Sequence, residues 1–166
     1  MQADPFWKDA HYERLGRLRN FGEMTDLAFS VLDGMPSPVT EVCGPITTGG
    51  RTPEQNVVIF QKTITHLQGQ GIAVFNQMIL HDTMVRFCEE LRAVGYPMAI
   101  LDEFYLPLFE SGKIHTLCFL PGWEASKGAS WEYEQARRLN IPITYLPDDW
   151  ADTLETRPFA SPMGRS

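Results

Sequence analysis

Basic clusters are missing from this 166-residue chain, whose formal net charge is −7. That balance argues against a surface for duplex nucleic acid, because phosphate backbones are gripped by massed Lys and Arg. Small anionic ligands are not excluded, since they need only a local pocket. Long apolar runs are missing as well. None approaches the roughly 20 residues that span a bilayer, and the opening MQADPFWKDAHYERLGRLRN is too polar for a signal peptide. A cytoplasmic protein without membrane contact is expected. Cysteine is scarce: Cys43, Cys88 and Cys118 make an odd number without CxxC spacing, so buried free thiols are expected rather than a disulfide or a zinc site. The histidines, His11, His66, His81 and His115, show no HxxxH pairing, and neither a metal nor another cofactor is expected.

What is present is 43% apolar content, enough for one domain with a sizeable core. The two prolines of MPSPVTE mark a linker, so residues 1–38 are expected to be a partly helical extension, 39–150 the α/β domain, and 151–166 a C-terminal tail, mobile over TRPFASPMGRS. Within the extension, residues 24–34 read as a short helix capped by Thr25. From Val39 onward short apolar runs alternate with longer amphipathic segments. VTEVCGPI, IAVFNQ, IHTLCFL and IPITYL read as strands. Helices are expected from Pro53 to Gly69 or Gly71, over 81–95, over 127–140, and through LDEFYLPLFESG with a disturbance at Pro107. Alternation of this kind implies an α/β domain with a mostly parallel sheet covered on both faces. Ligands then bind beyond the carboxyl ends of the strands, which singles out CGPITTGGRT, FNQMILHD, LPGWEASKGAS and YLPDDW.

CGPITTGGRT carries Gly44, Gly49 and Gly50 between a strand and a helix. Its backbone N–H groups, with Thr47, Thr48 and Arg51, suit an anion, although a plain glycine-rich turn explains it equally well. No GK[ST] follows, so it is not a Walker A loop. In SKGAS, Ser126 or Ser130 suits a helix cap, while Gly128 permits close approach of a ligand. Glu132 falls inside the buried stripe Ala129, Tyr133, Ala136 and Leu139. Two explanations stand: a first-turn carboxylate favoured by the helix N-terminus, or a carboxylate aimed into the strand-end crevice, where chemistry overrides local rules. Asp102 and Glu103 are acids able to reach the same crevice, with Asp82 a weaker candidate. Trp123, Trp131 and Tyr105 offer rings for stacking or for packing, and Asn76 either binds a ligand or closes a turn.

Together CGPITTGGRT, Asn56 with Phe60, VFNQ and LPGWEASKGASWEYEQA resemble the nucleoside 2-deoxyribosyltransferase superfamily over roughly residues 40–147. The 2′-deoxynucleoside 5′-phosphate N-hydrolases are the closest comparison for two motifs, and the GWExSxGA variant is similar to uncharacterised phage and bacterial members. The resemblance implies a Rossmann-like three-layer sandwich with about five strands, and a homodimer or larger homo-oligomer. It implies cleavage of the N-glycosidic bond of a nucleoside or nucleoside 5′-monophosphate, with Glu132 as nucleophile and Asp102 as acid, Glu103 and Glu110 being alternatives. Substrate contacts would come from Gly44, Pro45, Ile46, Thr47, Gly49, Arg51, Asn76, Trp123, Ser126, Gly128 and Ser130. The chain departs from the pattern at Pro45, Pro107 and His115, which favours a rival expectation, a nucleotide-binding or sensing module without catalysis. A third is an assembly protein whose N-terminal 38 residues bind a partner.

Overall fold

A computed structural model describes residues 3–95 and 98–156 of the chain. Along it come α1 (Asp9–Leu15), α2 (Phe21–Asp33), β1 (Val39–Cys43), α3 (Pro53–Gly69), β2 (Ala73–Val74), α4 (His81–Ala93), α5 (Leu106–Glu110), β3 (Thr116–Phe119), α6 (Lys127–Leu139), β4 (Ile143–Tyr145) and α7 (Trp150–Thr156). These form two compact units. One holds the chain up to Pro36 together with Ile79–Lys113; the other holds Ser37–Met78 and the chain from Ile114 onward.

In the first unit α2 buries Phe21, Met24, Leu27, Ala28, Val31 and Leu32, the three-and-four spacing of a core-facing helix. The helix starts earlier than expected, because Asn20 rather than Thr25 is its cap: the Asn20 side chain accepts the Glu23 N–H at 2.8 Å. Thr25 is buried instead, its hydroxyl 2.7 Å from the Glu103 carbonyl and 2.9 Å from the Phe21 carbonyl. The partner segment is a π-helical turn, Ile100–Tyr105, which runs directly into α5. Pro107 falls in the first turn of α5, where its missing N–H leaves no bond unmade. The expected disturbance is therefore a change of helical winding. Residues 1–36 share this unit with 79–113, so the apolar face of α2 is already occupied.

The second unit is built on an all-parallel sheet of order β2-β1-β3-β4. Four strands form, not about five: the chain has four apolar runs of strand character, and no fifth pairs among the described residues. β2 is the shortest, because Asn76 Oδ1 accepts the Met78 N–H at 3.1 Å and turns the chain into a 3-10 turn at Gln77–Leu80. Val42, Val74, Cys118 and Leu120 pack with Phe60, Ile64 and Leu67 of α3 and with Trp150 and Leu154 of α7. Trp150 Nε1 also donates to Thr63 Oγ1 at 2.8 Å. Part of the expected tail is thus a helix with core residues, while residues 157–166 lie outside those described. No helix among the described residues is long and apolar enough to cross a membrane.

Strand order dictates what faces what. The chain leaves β1 in one direction to β2 and leaves β3 in the other to β4. Right-handed crossovers then send α3 and α6 to opposite faces. Side chains alternate along β1, so Val42 meets α3 while Glu41 and Cys43 point toward the α6 side.

Candidate functional site

Order reverses between β1 and β3, and the crevice rule puts a ligand beyond their carboxyl ends. Two loops meet there. A Cβ on Gly44 would stand 2.7 Å from the Leu120 side chain, so this glycine serves close packing of one loop on the other. Gly49 and Gly50 have φ of +89° and +83°, the left-handed region that glycine occupies without strain. Asn56, buried on α3, donates from Nδ2 to the carbonyls of Ile46 at 2.8 Å and Thr48 at 3.0 Å, fastening the loop to the helix. The Asn56–Phe60 pairing seen in the sequence therefore has a structural explanation: one residue clamps the loop and the other fills the core.

Pro45, Gly49, Arg51, Asn56, Leu120 and Asp148 line a cleft of about 140 Å³. Sites for drug-sized ligands occupy roughly 300–1,000 Å³, so this cleft suits a fragment such as an anion or a sugar edge. Arg51 stands 3.9 Å from Asp152, both largely exposed, a separation at which solvent screens most of the attraction. Neither Glu41 nor Glu132 lines the cleft.

α6 begins on a cap. Ser126 Oγ accepts the Ala129 N–H at 3.1 Å, and Ser130 Oγ donates to the Glu124 carbonyl at 3.3 Å, so both serines have structural partners. A Cβ on Gly128 would meet only the Ser126 hydroxyl at 3.9 Å, so packing does not require glycine there. Trp123 stacks on Tyr133 at 4.7 Å and neighbours Phe119 and Tyr145, which makes it part of an aromatic cluster at the sheet's edge.

Glu132 is buried on α6 with Ala129 and Ala136; its exposure is 8%. Across from it on β1 are Glu41 and Cys43. One ligating atom from each of the three lies within 4.8 Å of the others. Glu41 has no exposed surface, and neither of its carboxyl oxygens meets a hydrogen-bond partner at full geometry. Two buried carboxylates this close cannot both be ionised cheaply. Burial first, then the Glu132 charge, push Glu41 well above the usual carboxylate range. Glu132 is pushed up to about 8, burial outweighing the hydrogen-bonding help of Cys43 and Glu41. Burial and the same two carboxylates also raise the Cys43 thiol. The result is a buried acid cluster whose affinity for protons is raised at every member.

The other expected site residues have settings of their own. Asp102, Glu103 and Glu110 are exposed and belong to the first unit. Asn76 closes its turn. His115 Nδ1 accepts the Val39 N–H at 2.8 Å, and the His115 N–H returns a bond to the Val39 carbonyl, tying the start of β3 to that of β1. Thr47 is exposed, and Ile46 packs at the margin of the core. Glu41 was missed, although its signal matched that of Glu132: a carboxylate among residues that otherwise read as core.

One family profile matches residues 39–145, a domain of unknown function, DUF4406. The chain belongs to this family. The matched DUF4406 segment begins at the first residue of β1 and ends at the last of β4, so it takes in every strand and the Glu41–Cys43–Glu132 cluster. Comparison with curated proteins and with solved structures returned no match.

Proposed function

We propose that this DUF4406 chain cleaves the N-glycosidic bond of a nucleoside or nucleoside 5′-monophosphate, with Glu132 as nucleophile. The observation that carries the reading is the Glu132 carboxylate, buried on the helix that follows β3 at the point where strand order reverses. An ionised Glu132 oxygen bonds to C1′ while the C1′–N bond breaks and its electron pair leaves with the base, which takes up a proton. Water then attacks C1′ and the ester C–O bond breaks. The sugar keeps the water's hydroxyl, its other proton is released, and the Glu132 carboxylate is restored. Interception by a second base in place of water gives transfer. A carboxylate suits the task because the transition state carries positive charge on the sugar, which the anion stabilises before it bonds. No metal or organic cofactor takes part in this scheme.

The cleft beside Arg51 is the candidate seat for a sugar edge or 5′-phosphate. The reading carries with it the three-layer arrangement and the homo-oligomeric state of the resembled superfamily. Incubation with a panel of nucleosides and 5′-monophosphates, followed by chromatography of free base, tests it; release of base from at least one member is expected.

A second reading, a nucleotide-binding module without turnover, is favoured by one observation. Glu132 is buried against Glu41, a setting that favours its protonated form, and a protonated carboxyl is no nucleophile. That reading expects saturable thermal stabilisation by nucleotides with no free base at any pH from 6 to 9.

A further inference from the structure

Glu41 is unused by the scheme above, yet among the described residues of the second unit it is the most deeply buried carboxyl, and it faces the nucleophile. Resting on the reading of Glu132, we propose that Glu41 is a positioning residue that holds a proton against the Glu132 carboxyl from the dry side of the sheet. Three observations carry this. Glu41 sits on the central strand β1, which has neighbours on both sides, so its backbone is fixed. Its side chain is fully buried, with no exposed surface, and its carboxyl stands against that of Glu132. Glu132 and Cys43 stand within 4.8 Å of it.

A carboxyl in that position cannot touch substrate, because it has no exposed surface. It also cannot serve as the acid of a glycosidase pair, since that acid stands across the scissile bond from the nucleophile. What it can do is donate. A protonated Glu41 offers an O–H to one Glu132 oxygen, which stabilises the Glu132 anion and leaves the other oxygen for C1′. An ionised Glu41 would instead repel that anion. The groups facing Glu132 are Glu41 and Cys43 of β1, and Cys118 of β3 acts on Cys43. Burial raises the proton affinity of Glu41, Cys43 and Cys118, and a proton kept on a group facing Glu132 favours ionisation at the nucleophile.

The test follows the Glu132 proton directly, by infrared titration of the carboxyl C=O stretch in the parent, Glu41→Gln and Glu41→Met. Glu132→Gln serves to assign the band, and circular dichroism checks folding. Gln keeps a donor and loses the proton; Met keeps the volume and loses both. The Glu132 midpoint is expected to rise by about one pH unit or more in Glu41→Met and to stay within about half a unit of the parent in Glu41→Gln. Equal midpoints in the two variants, whether shifted or not, would overturn the proposal, since packing alone would then account for Glu41. Stoichiometric Zn²⁺ binding that removes the carboxyl bands and is lost in Glu41→Gln would also overturn it, making the cluster a metal site. Base release, measured in parallel, bears on the glycosidic reading separately. An infrared shift without base release upholds the proton-holding role and fails the reaction.

Discussion

α3 and α6 open alike and bury different polar side chains near their starts. Each follows a parallel strand, each opens on a hydroxyl cap, Thr52 or Ser126, and each buries a polar side chain near its start. Asn56 on α3 is satisfied, with both Nδ2 bonds made to the loop it anchors. Glu132 on α6 faces a second carboxyl and a thiol, a setting that raises its proton affinity. A buried polar group with its bonds made explains architecture. One placed against a like group marks a candidate for chemistry. The difference separates two motifs that the sequence presents side by side.

Substitutions should separate the two helices accordingly. Glu132→Ala is expected to lower base release by at least about a thousandfold, the order of loss when a covalent nucleophile is removed, with the circular dichroism spectrum retained. Asn56→Ala is expected to act on the fold, costing about 2 kcal/mol in urea unfolding, because two loop carbonyls lose their donor. If Asn56→Ala left stability unchanged and abolished release, the division between the helices would fail.

The pH dependence of stability should differ in the same way. Glu132 has a folded value of about 8 against 4.5 when unperturbed. Between the two the folded chain holds more protons than the unfolded one, so the Glu132 contribution to stability falls as pH rises from about 4.5 to about 8 and is flat beyond. Urea titrations at several pH values should find this fall reduced in Glu132→Gln and retained in Asn56→Ala. The smallest effect belongs to the cap: Ser126→Ala is expected to cost about 1 kcal/mol and to leave the infrared midpoint of Glu132 in place.

Much of the second unit was legible in the sequence because its signals are local. Four apolar runs became four strands, Pro53 opened α3, and Gly71, at φ +87°, stands just past its C-cap, as capping chemistry predicts. Glu132 stood out because a carboxylate in a helical stripe breaks a period of 3.6. Glu41 breaks a rule as plainly, since a central parallel strand is buried on both faces, yet five residues are too few for a period to announce it. The first unit was less legible. Thr25 reads as a cap by type, and only its long-range bond to the Glu103 carbonyl explains why it is buried inside a helix. The pairing of Met1–Pro36 with Ile79–Lys113 is a contact across sequence distance that no local pattern encodes.

The most direct measurement of the central claim is mass spectrometry of the protein after incubation with a 2-fluoro-2-deoxy sugar nucleoside, whose glycosyl ester forms faster than it hydrolyses. The account predicts one adduct, mapped by peptide fragmentation to Glu132 and formed faster at pH 8.5 than at pH 6.5. An adduct on another side chain, or base release with Glu132 replaced by Ala, would contradict it.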